Sequence, residues 1–386
     1  MRRGPYSVII AGLGAMGGGL LRLGGEYLKN AGKVTAFDKN PATVSRSTSV
    51  KALVGEADDE GFLKALLKGQ PAGCLFVNLL SGADNLKIRE LVAQRGGNYI
   101  DTGAGFGGEE GDFIGLMEKS WAGGEDVPAQ LLFCGVNPGM VEIVARAIAR
   151  ESFRGDDGPF DVEIYEKDTI SSSAGKVFAA SWSPETLAEE MLLTPTVLVR
   201  DGFLTVEKNA EPLPCDVWWG KERRRARLVA HEELWTLCRK APFPIGDSFF
   251  AYSLSQRAMK ALERAPMPAG NIFHFHQEPV AGYDEVLVKV RSRRSGREEA
   301  RSWRSSHREA NMRFGVNAVQ FQVVSSVLFF LRFADETKLW AKKGLYCGSN
   351  LPIEGSWGRA ITLWKELGIS WRKKKRGVRR DSNPAK

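Results

Sequence analysis

Short apolar runs alternate with longer amphipathic stretches through the first 135 residues of the chain. The amphipathic stretches are long enough for helices, while the apolar runs are continuous, which is typical of strands covered on both faces. Strands and helices in alternation predict an α/β fold, a parallel sheet with helices on both sides. The runs cover residues 8–11, 34–37, 74–79, 99–100 and 131–134, and the stretches between them cover 16–28, 59–68, 83–95 and 113–122.

The pattern changes after residue 135. A helix is predicted over residues 140–150, and strand-like segments follow it, two of them joined by the hairpin turn Asp201-Gly202. Residues 285–290 alternate between apolar and polar positions, as a half-exposed antiparallel strand does. This part predicts a second, α+β domain with a mostly antiparallel sheet. Residues 315–331 are apolar nearly all round, which predicts a buried helix.

Length and composition narrow the class of protein. The chain has 386 residues, enough for two domains with separate cores, and its 43% hydrophobic and 26% charged residues are typical of a globular protein. No apolar run reaches the roughly 18 residues of a membrane-spanning helix, so no membrane partner is expected. The five cysteines are scattered and none forms a C-x-x-C pair, which favours reduced thiols in a cytoplasmic protein.

Most of the positive charge lies at the C-terminal end. Residues 372–386 hold eight Lys or Arg and one Asp, so this tail carries seven of the eight net positive charges. Blocks of like charge usually stay unfolded, so we expect a disordered basic tail. Nucleic acid is expected as a partner only through this tail, because the rest of the chain is nearly neutral.

A glycine motif follows the first predicted strand and opens the first predicted helix. Residues 12–17 read G-x-G-x-x-G, in which Gly12 permits a tight turn, Gly14 leaves room for a pyrophosphate and Gly17 lets helix and strand pack closely. The N–H groups at the helix start attract phosphate. The motif predicts a dinucleotide-binding site formed by Gly12, Leu13, Gly14, Ala15 and Met16.

The end of the second predicted strand bears on the choice of dinucleotide. Asp38 stands there, and a carboxylate at this place accepts hydrogen bonds from a ribose 2′-OH and repels a 2′-phosphate, which favours NAD. Lys39 and Arg46 follow closely and would attract such a phosphate, so NADP stays open as the alternative.

Two further loops are candidates for the same dinucleotide. Ala57 and Asp58 follow the third strand, where an adenine amino group can be met. Leu80 and Ser81 follow the fourth, over the ribose and nicotinamide. Ordinary strand-to-helix turns explain both segments equally well.

Loops after the later strands are candidates for the substrate side. Asp101 and Cys134 lie at the ends of strands, where open α/β sheets place their ligands, and we predict both as catalytic, with Cys134 beside the nicotinamide. Asn137 follows in the same loop and is predicted to bind substrate, although residues 137–139 also suit a turn that caps the next helix.

A helix start lies at residues 183–185. Ser183 suits the N-cap, Pro184 the first helical position, and Glu185 faces the positive end of the helix dipole. This accounts for Glu185 without a ligand and leaves Trp182 unexplained. No metal site is predicted, because no third ligand is spaced to join His274 and His276.

Together these motifs resemble the saccharopine dehydrogenase-like superfamily over almost the whole chain. The generic part is residues 9–17, and the specific parts are C-G-V-N-P-G-M at 134–140 and S-W-S at 181–183. Further similar segments are residues 98–103, 194–195, 199–202 and 343–345. The resemblance implies a Rossmann domain at 1–135, a substrate-binding and dimerisation domain at 136–312, and a segment at 313–371 that returns to the first domain, ahead of the tail at 372–386.

The resemblance also implies a homodimeric NAD(P)-dependent enzyme that transfers hydride at a C–N bond of lysine, an aminoadipate semialdehyde conjugate or a polyamine. Saccharopine-forming relatives carry a basic residue where this chain has Glu185. An acid resembles the lysine dehydrogenase and homospermidine synthase pattern, so Trp182 and Glu185 are expected to hold an ammonium-bearing substrate. Saccharopine dehydrogenase proper, and a dinucleotide-binding sensor that uses the basic tail without turnover, are the alternatives.

Overall fold

The chain divides into two compact units. One comprises residues 1–139 and 322–368, and the other comprises residues 140–321 and 369–386. The computed structural model describes residues 6–47, 49–104, 112–124, 126–172, 178–207, 212–262, 273–274, 280–373 and 379–380. Within the helices and strands, side chains 172, 178–179, 184–185, 189, 261–262, 273–274 and 379–380 lie outside this description.

The strands, in chain order, are β1 (Ser7–Ala11), β2 (Lys33–Asp38), β3 (Lys51–Val54), β4 (Leu75–Asn78), β5 (Asn98–Ile100), β6 (Gln130–Leu131), β7 (Phe160–Asp168), β8 (Ser171–Ser172), β9 (Phe178–Ala179), β10 (Val197–Arg200), β11 (Phe203–Val206), β12 (Leu213–Trp219), β13 (Glu222–Val229), β14 (Ile245–Ser253), β15 (Phe273–His274), β16 (Val280–Ala281), β17 (Tyr283–Ser292), β18 (Glu298–Ser306), β19 (Leu345–Tyr346), β20 (Arg372–Lys373) and β21 (Arg379–Arg380).

The helices are α1 (Ala15–Leu23), α2 (Gly25–Leu28), α3 (Pro41–Ser45), α4 (Glu60–Lys68), α5 (Asn85–Gln94), α6 (Phe113–Trp121), α7 (Met140–Ser152), α8 (Pro184–Leu192), α9 (Glu232–Lys240), α10 (Gln256–Leu262), α11 (His307–Phe314), α12 (Ala318–Glu336) and α13 (Trp357–Glu366), with a 3₁₀ turn at Leu339–Ala341.

The first unit is built on a parallel sheet. Its described strands run in the order β19-β6-β5-β4-β1-β2-β3, and every pairing between them is parallel. β1 and β4 are buried along their whole length, as their continuous apolar sequences predicted. The strand order reverses between β1 and β4, which is where open α/β sheets leave a crevice for a ligand at their carboxyl ends. The predicted α/β fold is therefore confirmed.

Aspartates fix where several helices of this unit begin. The carboxylates of Asp59, Asp84 and Asp112 accept hydrogen bonds of 2.8–3.0 Å from backbone N–H groups in the first turns of α4, α5 and α6. Such caps satisfy donors that have no partner within the helix. They set the lengths of the loops that leave the carboxyl ends of the strands.

The C-terminal segment is tied into the same unit by a buried polar contact. The hydroxyls of Tyr6 and Tyr27 lie 2.7 Å apart, and both donate to Asp335 on α12, at 3.0 and 2.7 Å. Burial, and then the charges of Tyr6 and Asp335, raise the pKa of Tyr27 well above its ordinary value, so this hydroxyl keeps its proton. β19 of this segment also extends the parallel sheet beside β6.

Among the helices of the described chain, only α12 has the length and the apolar composition to cross a membrane. However, 83% of its most apolar stretch is buried within the protein. This is the condition of a core helix, in line with the buried helix predicted over residues 315–331.

The second unit contains a larger mixed sheet. Its described strands run β20-β18-β17-β7-β14-β13-β12-β21, with β10 pairing both β14 and β11. β7 and β14 are parallel and the other pairings are antiparallel, so the predicted second sheet is confirmed. Tyr165, Trp219 and Phe249 lie in a core cluster on one face of this sheet. Two short pairings, β15 with β9 and β16 with β8, lie apart from it.

Part of the basic tail is paired to this sheet. Arg372–Lys373 form β20 beside β18, and Arg379–Arg380 form β21 beside β12. The prediction of a disordered tail is wrong for these four residues, because backbone hydrogen bonds to open strand edges hold them despite their charge. The other residues of the tail after 373 lie outside the described part of the chain.

Candidate functional site

The glycine motif forms a tight turn at the end of β1. Gly12 has a φ of +87°, which side chains rarely adopt, and its N–H donates to the Phe37 carbonyl oxygen at 2.9 Å. A Cβ on Gly12 would lie 2.9 Å from the Leu79 carbonyl oxygen. Only glycine therefore fits where β1, β2 and the loop after β4 meet.

The other two glycines differ from each other in their surroundings. A Cβ on Gly17 would lie 1.8 Å from the Gly12 carbonyl oxygen, so Gly17 serves the close packing of α1 on the turn. A Cβ on Gly14 would meet nothing within 4 Å. Gly14 is also the N-cap of α1 and offers no side-chain cap to the first N–H groups. These donors and the space beside Gly14 suit an anionic ligand such as a pyrophosphate.

Asp38 stands at the end of β2 beside this turn. One of its carboxylate oxygens accepts a hydrogen bond from Leu13 N at 2.8 Å, and the other accepts from Asn40 N at 2.8 Å. Each oxygen retains a lone pair that a ribose hydroxyl could use. Lys39 is 75% exposed, and its ammonium lies 3.9 Å from the carboxylate of Glu56.

The remaining residues predicted for the cofactor lie at the same edge of the sheet. Ala57 is buried and Asp58 exposed in the loop after β3. Leu80 is half-buried and Ser81 exposed in the loop after β4, where the Leu80 N–H donates to Asn78 Oδ1 at 3.2 Å. All four residues remain predicted contacts of the cofactor.

Asp101 follows β5 and is 4% exposed. Its Oδ1 accepts a 2.7 Å hydrogen bond from Phe133 N, and its backbone carbonyl accepts from Cys134 N at 2.8 Å. The carboxylate therefore holds the loop that follows β6. This arrangement favours a supporting role for Asp101 over the catalytic one predicted from its position.

Cys134 and Asn137 lie in that loop. Cys134 is fully buried, with its thiol 3.5 Å from the Leu132 carbonyl oxygen, and Asn137 is half-buried before a cis bond to Pro138. A Cβ on Gly139 would lie 2.5 Å from the Gly135 carbonyl oxygen, so the loop folds tightly on itself. The parallel sheet thus brings every predicted site residue up to Asn137 to one edge, at the carboxyl ends of its strands.

Trp182 and Glu185 belong to the second unit. The indole Nε1 of Trp182 donates to the Tyr252 hydroxyl at 3.2 Å. Glu185 is the second residue of α8, and its side chain lies outside the described part of the structure. The predicted cap is present, since Ser183 Oγ accepts from Thr186 N at 3.3 Å.

Sequence reasoning missed a cluster of buried acids in the second unit. His231 Nδ1 contacts the carboxylate of Glu233 closely and lies 3.4 Å from that of Glu232. Burial would lower the pKa of His231, but Glu233, Glu232 and Glu190 together raise it to about 10. Burial, reinforced by Glu232, Glu166 and Glu233 and opposed by His231, raises the pKa of Glu190 to about 8.

Among the described residues, Glu190, Glu232 and Glu233 lie near enough to His231 for their charges to raise its pKa. At neutral pH Glu190 keeps its own proton, because burial raises its pKa and the neighbouring carboxylates raise it further. A cation entering the cluster would take the place of that proton. The signal in the sequence was the run His231-Glu232-Glu233 between β13 and α9, but Glu190 comes from α8, and only the fold brings it near.

A second buried histidine has a structural role. His307 Nδ1 accepts from Ala318 N at 3.1 Å, so its proton lies on Nε2, which donates to Asp168 Oδ1 at 3.0 Å. Both ring nitrogens are therefore engaged, and His307 is not poised to act as a base.

Neither the protein-family models nor the curated proteins include a match to this chain. Solved structures do match it. The homospermidine synthase of Legionella pneumophila, in complex with NAD, has a TM-score of 0.72 at 17% identity, over 96% of this chain and 93% of that chain. The saccharopine dehydrogenase (L-Glu forming) of Saccharomyces cerevisiae has a TM-score of 0.62 at 11% identity, over 96% of this chain and 99% of that chain.

At these identities the likeness is one of fold, and it extends over nearly the full length of all three chains. The chain therefore shares the fold of these two structures, in line with the fold that the resemblance of its sequence motifs implied.

Proposed function

We propose that the protein is an NAD-dependent oxidoreductase that acts on a C–N bond of an amine-bearing substrate, such as lysine or a polyamine. The observation that carries the proposal is the cradle formed by residues 12–17 together with Asp38 at the end of β2.

The cradle fits a dinucleotide on physical grounds. The uncapped N–H groups of α1 and the space beside Gly14 suit a diphosphate, and the lone pairs of Asp38 suit ribose hydroxyls. Asp38 also disfavours a 2′-phosphate by charge, while Lys39 is drawn toward Glu56. The match in fold to a homospermidine synthase in complex with NAD supports the same cofactor.

The proposed substrate class rests on the buried acids of the second unit. Glu190 holds a proton at neutral pH because burial, reinforced by the charges of Glu232, Glu166 and Glu233, raises its pKa to about 8. An ammonium group brought to Glu190 and Glu233 would replace that proton with a charge-assisted hydrogen bond. Lysine and polyamines carry at least two amino groups, so one can be held as ammonium while another reacts as the neutral amine.

The reaction balances without a further co-reactant apart from water. Oxidation removes a hydride from the carbon and a proton from the nitrogen, which leaves an imine that water opens; the nicotinamide supplies the hydride acceptor when bound. Asn137, which is half-buried at the carboxyl edge of the parallel sheet, would line the reacting end. The proton can leave through water, so no catalytic histidine is needed.

Saccharopine itself fits this chain less well. Its several carboxylates would meet the buried carboxylates of Glu232 and Glu233, and like charges in a buried site are strongly unfavourable. A diamine or lysine-type substrate therefore ranks above saccharopine, in agreement with the expectation from Glu185.

The test is turnover by the full chain. The protein is incubated with NAD or NADP and, separately, with lysine, putrescine, spermidine or saccharopine, and reduced cofactor is followed by its absorbance. We expect reduction of NAD with an amine of the first three kinds. Binding of NAD without turnover of any amine would instead favour the dinucleotide-binding sensor, and turnover of saccharopine alone would overturn the assignment of substrate class.

A further inference from the structure

A chain of buried polar side chains lies beneath the carboxyl ends of β4 and β5 in the first unit. Asn78 Nδ2 donates to the Tyr99 hydroxyl at 2.8 Å and to Asn85 Oδ1 at 2.7 Å. Tyr99 is in turn hydrogen bonded to Asp101. All four side chains are buried, so these bonds form in a medium where leaving one unmade is costly.

Each end of this chain holds the backbone of a candidate loop. Asn78 Oδ1 accepts from the Leu80 N–H, and Asn85 Nδ2 donates to the Gly103 carbonyl oxygen at 2.8 Å. Asp101 Oδ1 accepts from Phe133 N at 2.7 Å. One connected set of side chains therefore fixes the three loops that follow β4, β5 and β6.

Burial and neighbouring charges shift the pKa values of Tyr99 and Arg89 beside this set of hydrogen-bonded side chains. Burial, and next the charge of Asp101, raise the pKa of Tyr99 well above its ordinary value, so the hydroxyl keeps its proton and donates it to Asp101. Burial lowers the pKa of Arg89, and the charge of Asp101 opposes this shift. Asp101 thus accepts hydrogen bonds from Tyr99 and from Phe133 N, and so holds other groups in place.

The loop after β6 needs such support. Phe133 has a φ of +60°, a strained conformation for a residue with a bulky side chain, and its N–H is the group that Asp101 holds. Cys134, the residue predicted to lie beside the nicotinamide, follows directly.

We propose that Asn78, Tyr99 and Asp101 are positioning residues that fix the Leu80 loop and the Cys134 loop as one frame around the nicotinamide ring of the cofactor. This inference rests on the proposed function. The pyrophosphate cradle is built from the backbone of residues 12–17, so disturbing the frame should affect the nicotinamide end and leave the ADP-ribose end in place.

Calorimetry with two ligands tests this on the full chain. NAD is compared with ADP-ribose, which has the same adenosine and diphosphate but no nicotinamide. Tyr99→Phe keeps the ring stacked on Phe76, 6.1 Å away between centroids, and removes only the hydroxyl. We expect the Kd of NAD to rise about tenfold and that of ADP-ribose to change less than about twofold.

Tyr27→Phe is the matched control, because it also removes a tyrosine hydroxyl with a bond to a carboxylate, that of Asp335. It should leave both affinities unchanged. Should Tyr99→Phe not fold, Asp101→Asn is measured in its place with the same expected ratio. Equal weakening of both ligands, or of neither, overturns the positioning role. A wild-type protein that binds neither ligand contradicts the proposed function, and with it this inference.

Discussion

The carboxylate of Asp38 accepts a 2.8 Å hydrogen bond from the backbone N–H of Leu13. The residue that would hold the cofactor ribose therefore also shapes the glycine turn that would hold its diphosphate. This hydrogen bond links the two halves of the candidate cofactor site in the protein without a ligand. A substitution in one half is therefore expected to affect the other half as well.

Gly14→Ala should weaken the binding of NAD without unfolding the protein. Its Cβ would enter space that no described atom fills within 4 Å, but that a diphosphate needs. We expect the Kd of NAD to rise at least about tenfold, or about 1.4 kcal/mol, with an unchanged melting temperature. The control is Gly25→Ala on α2, where a Cβ also meets nothing within 4 Å. Equal affinity for NAD in both variants would contradict the cradle.

Gly17→Ala should act on the fold instead of the ligand. A Cβ there would lie 1.8 Å from the Gly12 carbonyl oxygen, and backbone must move to relieve it. Overpacking of this kind costs about 1–3 kcal/mol or more. Denaturant unfolding measures the loss, and a Gly17→Ala protein as stable as wild type would show that α1 does not pack as described.

Asp38→Asn should shift the preference between cofactors. The amide oxygen can still accept from Leu13 N, but the negative charge that repels a 2′-phosphate is gone. We expect NAD to bind about tenfold more weakly and the ratio of the NADP Kd to the NAD Kd to fall. A ratio that does not change would separate Asp38 from cofactor choice. Both dissociation constants come from calorimetry.

Glu190→Gln should change how stability depends on pH. The pKa of Glu190 is about 8 in the folded chain, against an ordinary value of 4.5. Between these values the folded state holds a proton that the unfolded chain has lost, so this group lowers the free energy of unfolding as pH rises, until about pH 8.

The stability of Glu190→Gln relative to wild type should therefore increase from about pH 5 to about pH 8 and then level off. Urea unfolding across this range measures it, and Glu118→Gln, at an exposed position of α6, gives the effect of the substitution alone. A difference between Glu190→Gln and wild type that is independent of pH would mean that Glu190 is ionised throughout, and would remove the protonated acid from which the amine substrate is inferred.

The first sheet and its cradle could be predicted because their signals are local. Continuous apolar runs, the spacing of Gly12, Gly14 and Gly17, and the acid at Asp38 all lie within short stretches of sequence. The strand order then brings the predicted loops to one edge. The buried helix α12 could be predicted for the same reason.

The acid cluster and the Asn78–Tyr99–Asp101 chain could not be predicted from the sequence. Glu190 and His231 come from different elements, and nothing in their local sequence says that they meet. Asp101 was recognised by its position after a strand, but its partners at Phe133 and Tyr99 depend on how neighbouring strands are aligned. The pairing of four tail residues was missed because charge composition predicts solvation and does not show which sheet edges are open.

The central claim is that this chain holds NAD on the cradle of residues 12–17. Titration of the purified full chain with NAD, beside the Gly14→Ala and Gly25→Ala variants, tests it most directly. We predict saturable, one-to-one binding by wild type and Gly25→Ala, and binding at least about tenfold weaker in Gly14→Ala. No saturable heat with NAD or NADP in the wild-type protein, or binding that survives Gly14→Ala undiminished, would contradict it.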